Sequence, residues 1–379
     1  MEFELKEEHS LIRDTARRIA EAELKPRAAQ TDKEASFPEA QMKVLAENGF
    51  LTMLVPEAYG GTEAGSLGYS LAITEIARGC ASTAVTMAVT NMVADAINAF
   101  GSEEQKNRWI PKIASGEILC ASFSLSEPGA GSDAASLNAT AIQDGDDYIL
   151  NGEKCWVTSG DRAGLILVMA KTDPSERAKG ISTFLVEPNT PGFSVGRHEE
   201  KMGLRGSSTV SLNFEDARVP ATNRLGAEGN GFKVAMRALD GGRIGIGSQA
   251  LGILQACLED SRQYSLDRKQ FSKALSDFQA IQWKLADMAT AHDAARLLVL
   301  KAASLKDKGL PFTQEASMAK LFATEAANAA ALEAIQIHGG YGYTDEFAVE
   351  RYLRDVRVTT IYEGTSEIQR LVIARSVLG

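Results

Sequence analysis

The sequence predicts a multidomain chain of α and β structure, ordered helices, sheet, helices. Three observations carry that reading. Apolar residues recur at helical spacing before about residue 120 and again after about residue 225. Between them, short alternating runs are joined by Asp-Gly and Asn-Gly pairs, the strongest short hairpin signal. Strands and helices never alternate in a βαβ rhythm, which disfavours a doubly wound parallel sheet. The expected domains are an all-α domain over 1–120, an antiparallel β domain over 121–225 and a helical domain over 226–379.

The first domain shows Leu11, Ile12, Thr15, Ala16 and Ile19 at helical spacing. "SFPEAQMKVLAENGF" opens with Ser36 and Glu39 in capping-box positions and Pro38 in the first turn. It closes at Asn48-Gly49, and "VPEAYGG" then breaks the pattern. The window 81–100, "ASTAVTMAVTNMVADAINAF", is apolar enough to suggest a membrane span. Its small residues and the Asn and Asp near its end predict a buried soluble helix instead. In the β domain, turns are expected at Asp144-Gly145 and Asn151-Gly152. Strands are expected in "GLILVMAKT", "ISTFLVE" and "TVSLNFEDARVP". The last domain has a stripe of Ile281, Leu285, Met288, Ala295 and Val299, with His292 on it as a packed or edge histidine. "EASMAKLFATEAANAAALEAIQI" is Ala-rich and suits close helix packing.

The 379 residues suffice for a large core, and a formal net charge of −10 argues against nucleic acid or an anionic membrane as partner. Cys80, Cys120, Cys155 and Cys257 are scattered without a CxxC and read as reduced thiols. The histidines are equally dispersed, so no metal is expected. The acidic opening "MEFELKEEHS" resembles neither a secretory signal nor an Arg-rich transit peptide, and a cytoplasmic location is expected. "GIGSQA", 245–250, fits a dinucleotide-binding pattern, with Asp267 at a suitable distance for a ribose contact. Its flanks read as helix, so the glycines are expected to thin a helix face for close approach.

Two stretches suggest a bound planar heterocycle. "FSLSEPGAGSD", 123–133, joins a short strand to a turn where Gly129 and Gly131 leave backbone N–H groups bare. "KCWVTSG", 154–160, ends a strand with Trp156 beside Thr158 and Ser159, an aromatic plate next to hydroxyls. Alone, each has a plainer reading, an ordinary loop and a core Trp. A third stretch, "TIYEGTSEIQR", holds two carboxylates. Ser366 and Gln369 match S-x-x-Q, so a helix is expected to start at about Ser366 with Glu367 in its first turn, complementing the dipole. Glu363 precedes it on a loop, between Tyr362 and Gly364. From the residues alone it reads more readily as a solvated loop residue.

With "PEAYGG", "GSEEQK", "DGGRIGIGSQALG", "RKQF", "FQAIQWKLADM" and "QIHGGYGY", these stretches resemble the acyl-CoA dehydrogenase family along the whole chain, and most of all its short-chain, butyryl-CoA, members. The resemblance implies an N-terminal helical domain, a middle antiparallel β-barrel and a C-terminal four-helix bundle. It implies FAD as cofactor, an acyl-CoA substrate, an electron-transferring flavoprotein as acceptor and a homotetramer. By that resemblance Phe123, Leu125, Ser126, Gly131, Ser132, Trp156, Val157 and Thr158 would hold the flavin ring. Arg268 and Gln279, with Gln336, Ile337, His338, Gly339 and Gly340, would reach the diphosphate and adenosine end from a neighbouring subunit. Thr365, Ser366 and Glu367 would also touch FAD. Ser132, Asp240, Gly241, Gly242, Arg243, Tyr362 and Gly364 would meet the substrate, and Glu363 would be the base that removes its α-proton. Relatives with the base on the helix matching "ALDGGR" carry Glu where this chain has Gly242. The chain departs from the family after "RKQF", where Ser272 and Ala274 replace the usual Gly and Pro, and this bears on the turn beside Arg268. The alternatives are a relative acting on branched, cyclic or other acyl-CoAs, and a non-catalytic binding protein of the same fold.

Overall fold

A computed structural model describes residues 5–379; Met1 to Glu4 of the acidic opening lie outside the described residues. Helix α1 (Glu7–Ile19) passes through one wide turn, Ala20–Leu24, into α2 (Lys25–Glu34). Pro26 follows that turn, where its missing N–H costs little because the ordinary ladder is already interrupted. Helix α3 (Glu39–Glu47) starts directly after Pro38, and no side chain caps it. The expected Ser36–Glu39 capping box is not formed. The Ser36 N–H donates to the Thr31 carbonyl at 3.2 Å, so Ser36 finishes the exit from α2 and does not begin α3.

Helices α4 (Gly65–Gly79) and α5 (Ala81–Phe100) are buried along nearly their whole length. The small side chains of α5 allow this, since it packs against α4, a long C-terminal helix and the first strand. No helix among the described residues is long and apolar enough to cross a membrane. Helix α6 (Glu103–Ala114) has a complete capping box between Ser102 and Gln105. Gln105 also donates to the carbonyls of Thr222 (2.7 Å) and Arg224 (3.0 Å), tying the helical domain to the sheet.

The middle domain contains β1 (Ala121–Ser124), β2 (Thr140–Asp144), β3 (Asp147–Thr158), β4 (Leu165–Lys171), β5 (Ile181–Val186), β6 (Phe193–His198), β7 (Thr209–Pro220) and β8 (Arg224–Leu225). They pair in the order β6-β7-β3-β2-β4-β5-β8, mostly antiparallel, with β1 running parallel to β4. Asp144-Gly145 makes the expected hairpin turn between β2 and β3. Asn151-Gly152 does not turn the chain. β3 runs on through it because β7 offers a partner of equal length, and the pair becomes a bulge between Leu150 and Gly152. Gly152, at φ 138°, is needed there, since a Cβ would come within 2.8 Å of the Ala139 backbone.

The last domain is built on α7 (Gly231–Asp267), a helix of 37 residues that packs on α4 and α5. After it come a short hairpin, β9 (Lys269–Gln270) and β10 (Lys273–Ala274), then α8 (Gln279–Asp307) and α9 (Thr313–His338). Helices α10 (Val349–Arg357) and α11 (Ser366–Leu378) pack on α9. "GIGSQA" lies inside α7, with no strand before it. Its first glycine and Gly252, two residues beyond it, admit α4: a Cβ at Gly245 would press on the Tyr69 hydroxyl, and one at Gly252 would overlap the Thr74 carbonyl. His292 is half-buried on α8, beside buried Met288, Ala295 and Val299. All four cysteines are free and buried.

The β9–β10 turn shows what a glycine in place of Ser272 would ease. Phe271 (φ 52°) and Ser272 (φ 66°) are both left-handed, the conformation a two-residue hairpin demands. Ser272 adopts it at a cost, and the Leu275 N–H donates to the Arg268 carbonyl at 2.9 Å across the base of the turn. Ser272→Gly should stabilise the protein by up to about 1 kcal/mol, the left-handed penalty less the added glycine entropy. A flavin-loaded variant that melts no higher than wild type would contradict this.

Candidate active site

The chain enters α11 through a loop in which Glu363 (φ 51°) and Gly364 (φ 91°) are both left-handed. Gln369 reaches back from α11 to donate to the carbonyls of Glu363 (3.3 Å) and Gly364 (2.8 Å). A Cβ on Gly364 would come within 2.7 Å of that amide, so only glycine lets it approach. The cap of α11 lies one residue before the expected one. Thr365 accepts from the Ile368 N–H at 3.3 Å, while Ser366 donates to Glu325 at 2.7 Å. The S-x-x-Q pattern misplaces the cap because Gln369 is committed to the loop carbonyls. Glu367 sits exposed in the first turn, and backbone and Thr365 hydrogen bonds hold its carboxyl below the usual range.

The loop turns the Glu363 carboxylate inward. Its Oε2 is sealed from solvent and has no hydrogen-bond partner. It lies against the bare backbone of Gly242 on α7, where a Cβ would overlap it, with the Met92 sulfur close by on α5. Burial pushes the Glu363 carboxyl up to about 7, against the pull of Lys320 and Arg243. Beside it, the Tyr362 hydroxyl donates to Gln249, and Gln249 donates to the Ala81 carbonyl at 3.0 Å.

Asp240, Gly241, Gly242 and Arg243 form one turn of α7 next to this carboxylate. Arg243 is buried and paired with Asp240, and its Nε has no partner. Asp240 also accepts from Thr313 at 2.7 Å. Gly241 leaves room for Lys306, which pairs with Asp95 at 3.0 Å.

A second group forms where β1 and β3 end. Phe123 is half-buried, Leu125 is buried, and the Ser126 carbonyl accepts from the Cys155 N–H at 3.0 Å. Glu127 turns inward and accepts from Asn138 N (2.5 Å), Ala139 N (2.9 Å) and Lys154 Nζ (2.8 Å). Gly129, Gly131 and Ser132 face outward, and a Cβ at either glycine would meet nothing within 4 Å. These glycines relieve no crowding; they leave backbone bare at an open surface. The bulge between Lys154 and Val157 throws Trp156 (φ 58°) outward with 63% of its surface exposed, so it is not a core Trp. Val157 is buried in the sheet core and offers only its backbone. Thr158 is half-buried, with its carbonyl held by Ser122 at 2.6 Å. An exposed indole beside bare amides and a hydroxyl fits a flat, hydrogen-bonding heterocycle.

The third group is a cleft of about 560 Å³ lined by Arg268, Gln270, His338, Gly339, Gly340 and Tyr341. The Arg268 guanidinium lies over the Tyr341 ring at 5.5 Å, and His338 stacks on Tyr264 at 4.2 Å. Gln336 and Gln279 are exposed at the end of α9 and the start of α8, whereas Ile337 is core and offers only backbone. None of the β-domain residues lines this cleft.

A carboxylate with one sealed, unpartnered oxygen and an exposed indole platform on a sheet are groups that an oxidoreductase with a flat cofactor would use. Comparison makes the class particular. Models of the acyl-CoA dehydrogenase N-terminal, middle and C-terminal domains match residues 6–117, 122–217 and 229–378. The chain therefore belongs to the acyl-CoA dehydrogenase family, whose enzymes use FAD. It is 53% identical to the short-chain specific acyl-CoA dehydrogenase, mitochondrial, of Rattus norvegicus, over 99% of this chain and 91% of that one. It superposes on the butyryl-CoA dehydrogenase of Megasphaera elsdenii with a TM-score of 0.98 at 41% identity, covering all of both chains. A chain solved in work on the electron transferring flavoprotein of Acidaminococcus fermentans matches with a TM-score of 0.98 at 44% identity, again over all of both chains.

Sequence reasoning overlooked three neighbours of these groups: Lys320, which donates to the Gly364 carbonyl at 2.8 Å, and the Glu127–Lys154 pair. Lys320 left a signal. It falls on the stripe of Ala316, Ala319, Ala323 and Ala327 that α9 buries, where a lysine has no solvated face.

Proposed function

We propose that the chain removes the α and β hydrogens of a short straight acyl-CoA, butyryl-CoA foremost, giving the trans-2-enoyl-CoA, and that the electrons leave to an electron-transferring flavoprotein. The observation that carries this reading is the unpartnered Glu363 Oε2, sealed against a glycine backbone and poised near neutral ionisation. A general base works best with a pKa near the operating pH, and burial sets it there. Glu363 takes the α-proton. FAD, held at the Trp156 platform, would supply the acceptor for the β-hydrogen as hydride. Hydrogen bonds to the thioester carbonyl would stabilise the developing enolate. Gly242 makes room for the base and puts no carboxylate of its own at that position of α7.

Phe123, Leu125, Ser126, Gly131, Ser132, Trp156, Val157 and Thr158 hold the flavin ring in this reading. Ser132 and the Asp240–Arg243 turn meet the CoA portion, and Tyr362 and Gly364 border the acyl group. The Arg268 cleft, with Gln279, takes the adenosine end of FAD from a neighbouring subunit, which accords with its separation from the platform and with a homotetramer. The short chain follows from the likeness to the rat and Megasphaera enzymes, and the acceptor from the likeness to the Acidaminococcus chain. Anaerobic flavin bleaching across straight, branched and aromatic acyl-CoAs is the test. Butyryl-CoA should bleach fastest; a preference for long or branched chains would overturn the substrate assignment.

A further inference from the structure

Lys320 is fully buried on α9, an unusual place for an ammonium. It donates to one protein acceptor, the Gly364 carbonyl at 2.8 Å, which also accepts from Gln369. Both lone pairs of that carbonyl are thus used. The grip falls on the loop where Glu363 and Gly364 hold consecutive left-handed conformations. For Glu363 that conformation is strained, and it persists only where the surroundings impose it. Two side chains from two helices impose it here. Gln369 can supply the hydrogen bonds; only Lys320 adds a charge.

We propose that Lys320 is a positioning residue for the base: its ammonium fixes the left-handed Glu363–Gly364 turn and provides the cation against which the Glu363 carboxylate ionises. This rests on the assignment of Glu363 as base. The charged and titratable groups around Glu363 leave few other candidates. Tyr69 comes from α4, and Asp95 from α5 is paired with Lys306 of α8. Arg243 of α7 is already bound to Asp240. Glu325 of α9 and Glu367 of α11 face Lys320 and help keep it charged. Burial lowers Lys320 to about 8, and among the cations Lys320 acts on Glu363 more strongly than Arg243 does. Each charge favours the other: Lys320 holds Glu363 down against burial, and Glu363 holds Lys320 up against burial.

The sign follows. Without the cation, ionising the buried carboxylate is harder, so the acid limb of the pH–rate profile moves to higher pH. In Lys320→Met, single-turnover bleaching by saturating butyryl-CoA at pH 7 should fall on the order of 10- to 100-fold. The acid limb should rise by about one pH unit or more. Infrared titration of the flavin-loaded protein, with the Glu363 band assigned by its loss in Glu363→Gln, should show the same displacement without turnover. Lys320→Arg, which keeps a cation and N–H donors, should keep the limb at the wild-type pH. If Lys320→Met yields no folded flavoprotein, Lys320→Gln decides, since it keeps a donor and loses the charge. A limb and an infrared titration unmoved in the Met or Gln variant overturn the proposal. So does an equal displacement in the Arg variant. Bleaching by Glu363→Gln at a wild-type rate would overturn the base assignment itself, a result separate from either.

Discussion

Glu363→Gln should abolish turnover and leave a folded, yellow protein. Glutamine keeps the size of glutamate and cannot take the α-proton. Losing a positioned general base costs on the order of 10²–10⁴ in rate, and more where proton and hydride departure depend on each other. The structure adds a signature. The folded protein holds the Glu363 proton more tightly than the unfolded chain does, because burial raises that carboxyl from 4.5 to about 7. The stability this contributes is complete below about pH 4.5 and is lost as pH rises through about 7. Glu363→Gln lacks that loss, so its melting temperature should gain on wild type as pH passes from 5 to about 8. Glu367→Gln is the control. It removes an exposed first-turn charge that complements the helix dipole, so it should alter stability or FAD retention more than the bleaching rate. Rapid bleaching by Glu363→Gln would place the base elsewhere.

The helical domains were legible because their apolar stripes persist over many turns, as along α8 and α9. The sheet was legible in its strands but less so in its turns. Asp144-Gly145 and Asn151-Gly152 look alike locally, and only the length of β7, more than fifty residues further on, makes the second a bulge. Caps failed for a related reason. Ser366 and Gln369 satisfy the local pattern, yet Gln369 answers to loop carbonyls that no local rule counts. In the site, Glu363 on its own residues looked like a solvated loop acid. Its inward turn depends on Gly242, Lys320 and Gln369, which approach from other helices. The resemblance supplied what periodicity could not, and the geometry supplies the physical reason for it.

The Glu127–Lys154 pair is invisible to pattern reading, since its members lie in a turn and a strand with nothing repeating between them. Glu127→Ala should nonetheless be among the most damaging substitutions outside the base. Both side chains are buried, 5% and 0% exposed, and Glu127 gathers the Lys154 ammonium and two backbone N–H groups. Its removal strands a buried cation, and such a break costs about 3–5 kcal/mol. Burial already pulls the Lys154 ammonium down from its ordinary value, so the orphaned group would shed its proton readily. The damage has a location. Lys154 also donates to the Leu125 carbonyl at 3.1 Å, and the next carbonyl, Ser126, holds Cys155 beside the Trp156 bulge. The pair thus pins the bare glycine loop to the strand that presents the indole. Glu127→Ala should lower the melting temperature by several degrees and release FAD on gel filtration. Replacing both partners with apolar residues, Glu127→Leu with Lys154→Met, should recover part of the melting temperature, because no charge is then left unpaired. It should recover less of the FAD, because the loop still lacks its hydrogen bonds. A single variant that keeps its flavin and melts like wild type would show that the loop is held by something other than this pair.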